Sequence, residues 1–292
     1  MKGQDMRRAG ARASMCAVAA LGLSALTVPT AGAAVIAPPT TPPPTMSPSP
    51  TPRPTPKPTP KPTPRALTKC QIAAQAKNTT PSKPFYRAAT KFGMRDGGPK
   101  SINHVREAQY RLRWAKVYKG SVTGSYGPAT RRAVRTFQSK NCLAPTGNVN
   151  VQTWAVLIQR TIRFKSSIPT VCRGAGWHSC YDRASHQDFL FKNGKLWNVW
   201  LVRGGAYSTQ TRTGNYKVTA RYKEKVSSLY DVKMYYFMPH SGGQGQHGSG
   251  FMVDPWVGHS HGCINMYIKD AKVLFNLTRN QPLRVTVYGA WD

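Results

Sequence analysis

Acidic residues are scarce in this chain: 10 Asp and Glu stand against 42 Lys and Arg among 292 residues, a formal charge of +32. An imbalance of that size calls for an anionic partner. Nucleic acid is the first class to consider, but no recognised nucleic-acid motif is present, which argues against it. An H-E-x-x-H pair, the usual signature of a helical zinc hydrolase site, is also missing. Long apolar runs are confined to Ala13–Val28, and no later stretch is long and apolar enough to cross a bilayer. Cysteine is limited to six residues, too few for a disulfide-dense miniature fold but enough for two staples.

What is present begins with an export signal. Lys2, Arg7, Arg8 and Arg12 form a basic start, Ala13–Val28 an apolar stretch too short to span comfortably, and Ala31-Gly32-Ala33 a small-residue cleavage site. Residues 1–33 are therefore expected to be a signal peptide, with an uncleaved anchor as the competing reading. Cys16 has no lipobox-like sequence before it. Residues 34–66 are Pro/Thr-rich, ending in alternating TPRPTPKPTPKPTPR, and cannot build a core. They are expected to form an extended linker rising about 3.1 Å per residue. Without Cys16 five cysteines remain, an odd number in an oxidising compartment. If Cys263 is the free one, three pairings of the others remain. Cys70–Cys142 with Cys172–Cys180 is favoured, because it ties the leading segment down and closes a short loop.

Helical and extended patterns divide the rest. Val105, Ala108 and Leu112 recur at helical spacing. Pro128 after Gly127 suits a helix start, followed by Ala133, Val134 and Phe137, and Asn150 suits the cap of a third helix carrying Trp154, Leu157, Ile158 and Ile162. Further on, Phe189–Lys192, Asn193-Gly194 and Leu196–Val202 predict a β-hairpin with a type I′ turn. Tyr216–Tyr222, Val232–Phe237 and Leu283–Tyr288 read as strands, and Asp270–Leu277 as the one helix among them. The expected organisation is a helical domain at 67–164 and a mainly β domain at 165–292.

The chemistry concentrates in Gln246–Met266, QHGSGFMVDPWVGHSHGCINM, which holds His247, His259, His261 and Cys263 among glycines. A cysteine attacks as thiolate, and a nearby imidazole can take its proton. Glycine beside it allows a tight turn and a close backbone approach to substrate.

Ser260-His261-Gly262-Cys263-Ile264-Asn265, preceded by His247-Gly248, resembles the active-site signature of the YkuD-type L,D-transpeptidases. Thr211-Arg212-Thr213-Gly214 resembles that family's Thr-Pro-Thr-Gly turn, with Arg212 where proline is usual. The likeness runs from about Ser185 to Tyr288. Upstream, Gln109, Leu112, Thr123-Gly124-Ser125-Tyr126-Gly127, Thr130, Phe137-Gln138, Thr146-Gly147 and Thr153-Trp154 resemble the three-helix peptidoglycan-binding domain.

The resemblance implies a β-sandwich catalytic domain with one helix, joined to a small all-α wall-binding domain. It implies a peptidoglycan L,D-transpeptidase, secreted and wall-associated, with no cofactor. Its partners would be stem peptides, glycan and anionic wall polymer. Cys263 would be the nucleophile, His247 the base that keeps it as thiolate, and Gly248 the carbonyl that orients the imidazole. Gly262 and Cys263 would supply oxyanion N–H groups, while His261 and Asn265 would hold the catalytic loop by hydrogen bonds. Ser260, Asn265, Tyr235, Tyr236 and Trp256 are the candidate cleft residues. An L,D-carboxypeptidase, a zinc amidase built from His247, His259 or His261 and Cys263, and a non-catalytic wall binder are the alternatives. As a tether, the helical domain should be removable: deletion through about Phe164 is expected to spare turnover of small muropeptides.

Overall fold

A computed structural model describes residues 68–76 and 80–291; the expected signal peptide and linker lie outside the described residues. No helix among the described residues is long and apolar enough to cross a membrane.

Among the described residues, four helices come first, α1 (Lys69–Gln75), α2 (Val105–Trp114), α3 (Pro128–Lys140) and α4 (Val151–Arg160). Helix α1 starts with a capping box: Thr68 Oγ1 accepts from the Gln71 amide and Gln71 Oε1 accepts from the Thr68 amide. A disulfide between Cys70 and Cys142 fastens this helix to the end of α3. Asn150 caps α4 as expected, its side chain accepting from the Thr153 amide at 2.8 Å. Two glutamines do the same work in successive helices. Gln109 in α2 accepts from the Gly124 amide and donates to Ser125 and Thr130. In α3, Gln138 accepts from the Gly147 amide and donates to Asn148 and Thr153. Each Thr-Gly turn is thus held by the preceding helix, with the glycine at positive φ (74° and 76°).

Nine strands follow, in two sheets. The first has the order β3-β2-β1-β9-β4, from β1 (Trp177–Asp182), β2 (Gln187–Lys192), β3 (Lys195–Leu201), β4 (Gly214–Lys217) and β9 (Leu283–Tyr288). The second runs β5-β6-β7-β8, from β5 (Tyr222–Val226), β6 (Lys233–Ser241), β7 (Gln244–Ser249) and β8 (Ile264–Met266). Helix α5 (Ile268–Thr278) packs on β6 and β7. The β2–β3 turn is the expected one, with Asn193 and Gly194 at φ 49° and 75°. Tyr216–Tyr222 is not one strand. Val218 still bonds to Leu283, but Thr219 bonds to Pro239, so the chain leaves one sheet for the other between β4 and β5. The second disulfide, Cys172–Cys180, pins the approach to β1.

The helices and the first sheet share one core. Val105, Leu112, Trp154 and Leu157 belong to the same buried cluster as Cys180, Phe189, Phe191 and Val199. The reason lies at β3, an edge strand whose free carbonyls would otherwise invite pairing. Phe85 N donates to Trp197 O at 2.9 Å, and both Arg87 and Arg111 donate to Val199 O, at 2.9 and 2.8 Å. Glu107, fully buried, bridges the two guanidinium groups at 2.9–3.2 Å. Arg87 also donates to Asn198, His104 meets Asp270 of α5 at 3.2 Å, and Lys269 donates to the Ile102 carbonyl. The helical region is therefore docked along a buried ionic seam, which weighs against its being removable without loss.

Candidate active site

Strands β7 and β8 carry the site. They pair in parallel with His247 opposite Asn265, and Arg203 pairs antiparallel with Asn265 on the other side. Residues in register across a sheet project to one face, so Arg203, Asn265 and His247 stand in a row. Cys263 immediately precedes β8, two residues before Asn265. All four line a cleft of about 720 Å³, together with Arg212, Gln244, Ser260, His261, Leu229 and Tyr230.

His247 is buried, and its Nδ1 donates to the Gly248 carbonyl at 3.0 Å. A carbonyl only accepts, so the proton sits on Nδ1 and Nε2 is left as an acceptor. Burial pulls this imidazole down to about 4, against the Gly248 bond, with the positive Arg203 adding to the fall. Burial also pushes the Cys263 thiol up, opposed by a hydrogen bond from the Gly245 amide and by the charge of Arg212. Among the described residues Cys263 is the free cysteine, the other four being joined in two disulfides. Both shifts favour the neutral thiol and the neutral imidazole, in the direction opposite to a standing thiolate.

Two glycines make the geometry feasible. Gly245 brings its amide to the sulfur, and a Cβ there would lie 2.8 Å from Pro239 Cα. Gly262 sits at φ +115°, closed to other residues, with the Gln244 side chain against it. Ser260 is the staple of this loop: its Oγ donates to Cys263 O at 2.6 Å and accepts from the Gly262 amide at 3.0 Å. The Gly262 N–H is thereby engaged within the loop in this geometry.

The remaining expected residues fall in different places. His261 is exposed and lies flat on Tyr230, ring centroids 4.0 Å apart, so Ser260 and not His261 ties the loop. Asn265 is bonded through its backbone to Arg203 in both directions. Tyr235, Tyr236 and Trp256 do not line the cleft. Tyr236 occupies a bulge at φ +55° and packs on Phe275, and Trp256 is enclosed by Tyr110, Trp114 and His186 at the helical region. Tyr235 is half-buried opposite Gly248 in β6. His240 is buried beside Tyr216, outside the cleft lining.

The histidines considered for zinc diverge, His259 toward Trp291 and His261 onto Tyr230. Among the described residues, His104, Glu107 and Asp270 are the group close enough to hold an ion. Arg87 already lies between those carboxylates, 3.1 Å from Glu107 and 3.8 Å from Asp270, so cations of the chain fill that role.

Two supporting groups carry little sequence signal. Gln246 Nε2 donates to Ser179 Oγ at 2.6 Å and to Asp188 Oδ2 at 3.1 Å, fixing the residue next to His247 to the opposite sheet. Burial raises the Asp188 carboxyl to about 6 against these hydrogen bonds. Arg212 donates to the Ser241 hydroxyl and to the carbonyls of Ser241 and Gly242, bracing the β6–β7 turn at the rim. Its place in the Thr-Arg-Thr-Gly run was the available clue.

Residues 177–287 match the L,D-transpeptidase catalytic domain, YkuD, and residues 101–157 match the putative peptidoglycan binding domain. Among solved structures, the chain is similar to an L,D-transpeptidase (Yku) from Stackebrandtia nassauensis at 20% identity and a TM-score of 0.44, over 72% of this chain and 98% of that one. An L,D-transpeptidase from Xylanimonas cellulosilytica aligns at 21% identity and a TM-score of 0.39, over 70% and 100%. One from Mycobacterium smegmatis aligns at 17% and 0.37, over 40% and 60%. No curated protein sequence matches the chain. Of the two matched segments, 177–287 falls on the two-sheet region and 101–157 on the helical region.

Proposed function

We propose that the protein is an exported, wall-associated enzyme that cross-links peptidoglycan through an acyl-enzyme on Cys263. The supporting observation is a free thiol lining the same cleft as a buried imidazole whose Nδ1 donates to Gly248. As Cys263 Sγ attacks the carbonyl between the third stem residue and D-Ala, His247 Nε2 takes the thiol proton. The amide C–N bond then breaks, and His247 passes that proton to the departing D-Ala nitrogen. A thioester remains. The side-chain amine of a second stem attacks it, forming the new amide and returning a proton to the sulfur. With Gly262 committed to Ser260, the Cys263 amide is the donor of that pair left for the oxyanion.

Residues 1–33 as signal peptide and 34–66 as spacer complete this reading, with the helical region holding the sandwich near the wall polymer. The deciding experiment is intact-mass analysis after incubation with disaccharide-tetrapeptide. Wild type should lose D-Ala from the donor and show an acyl adduct, whereas Cys263→Ala should show neither. Adduct on the alanine variant would remove Cys263 as nucleophile, and D-Ala release without cross-linked product would make the enzyme a carboxypeptidase.

A further inference from the structure

Arg203 is 6% exposed yet forms part of the cleft wall. Its Nη1 donates to the Val257 carbonyl at 2.6 Å, while its Nε is buried with no partner. The neighbouring side chain in the row, Asn265, likewise has its buried Oδ1 unpartnered. Buried polar atoms of this kind cost stability and are ordinarily satisfied. The unpartnered N–H on the buried cation fits an anionic group, while the Asn265 oxygen, an acceptor, fits an N–H of the same ligand.

Among the described residues lining the cleft there is no Asp or Glu. Asp254 is the acidic side chain that most affects Arg203, but it accepts from Tyr110 at 2.9 Å and lies 3.6 Å from Arg106. Asn265 separates Arg203 from His247 in the sheet, one strand spacing to each side. Arg203 is also close enough to His247 to depress its basicity. A departing D-Ala has a free carboxylate one carbon away from the very nitrogen that His247 would protonate.

We propose that Arg203 is the carboxylate anchor of this cleft and holds the free α-carboxylate of the D-Ala leaving the donor stem. This rests on the transpeptidase reading above and adds the group that recognises the donor's C-terminus. A carboxylate on Arg203 also cancels its repulsion of a protonated His247, so the imidazole becomes a stronger base once a donor is bound.

The test compares tetrapeptide donors ending in D-Ala and in D-alaninamide. For wild type, kcat/KM should favour the free acid about 10- to 100-fold, the usual worth of a charged hydrogen bond. Arg203→Gln should erase that preference, chiefly by raising KM for the acid donor, and Arg203→Lys should retain part of it. Equal turnover of both donors by wild type, or equal losses on both in Arg203→Gln, would overturn the anchor. The wild-type comparison needs no variant, so a glutamine variant that fails to fold leaves the test standing. Wild type acting on neither donor would instead overturn the transpeptidase reading.

Discussion

Glu107→Gln is the substitution that most directly probes how the helical and β regions depend on each other. Glu107 is fully buried between Arg87 and Arg111, and both cations also hold the β3 carbonyl of Val199. Burial alone would raise the Glu107 carboxyl, but Arg87 and Arg111 outweigh it and bring it to about 2. Neutralising it leaves two guanidinium groups facing each other in the core, a loss of about 3–5 kcal/mol for a broken buried pair. For a unit of this size each kcal/mol lowers Tm by roughly 2–4 °C, so a fall of about 6–20 °C is expected. Because the folded carboxyl is depressed, its contribution is complete above its usual value of 4.5 and is lost as pH falls toward about 2. The variant should therefore approach wild type near pH 2. Hydrogen exchange with mass readout supplies the second half of the assay. Peptides from α4 and from β9 should lose protection together in the variant. If α2–α4 open alone while the sheets keep wild-type protection, or if Tm is unchanged, the shared core is not cooperative and the reasoning fails. The same logic forecasts that removing the chain through residue 164 yields an unfolded remainder, since Val199 O, Asn198 and Asp270 lose their partners together.

Two further outcomes concern the loop and the catalytic pair. Alkylation of Cys263 should accelerate only as pH rises past the ordinary thiol range and should keep that profile in His247→Ala, because burial raises the thiol and the imidazole is neutral above about 4. A low-pH plateau lost in His247→Ala would restore a thiolate–imidazolium pair. Turnover is a separate matter: His247→Ala should slow it about 10²–10⁴-fold, the worth of a positioned general base. Ser260→Ala removes the hydrogen bonds to Cys263 O and from the Gly262 amide, and should cost about 1–3 kcal/mol in thermal denaturation. His261→Ala should stay within about 0.5 kcal/mol of wild type, as a surface position does; the reverse order of the two would refute the staple.

Local signals were the legible ones. Asn193-Gly194 demands positive φ wherever it stands, so the β2–β3 hairpin could be read directly. Asn150 and Pro128 mark helix starts for equally local reasons. Strands β7 and β8 were opaque, since QGQHGS and INM have weak strand character and exist because neighbours pair with them. Trp177–Asp182 was missed for a related reason: it is buried throughout between β2 and β9 although half its side chains are polar.

Faces were harder to read than elements. In α2 the apolar stripe Val105, Ala108 and Leu112 was visible, but Glu107 and Arg111 looked like a solvated pair four residues apart and are completely buried. Nothing local distinguishes them, because what buries them is a strand some ninety residues later. Trp256 was taken for a cleft residue and is covered by α2; Tyr236 was displaced by a bulge.

The excess of positive charge shows the same limit. A count of 42 Lys and Arg reads as a basic surface awaiting wall polymer. Four of those arginines have internal work: Arg87 and Arg111 bond to Val199 O, Arg203 to Val257 O and Arg212 to Ser241 and Gly242. A guanidinium suits this use because its several fixed donors can satisfy a carbonyl while the charge remains for another partner. At Arg87 and Arg111 that partner is Glu107, inside the chain. Around Arg203 no acidic side chain of the cleft takes that place. The difference between these two settings separates a cation that holds the fold from one left to meet a substrate.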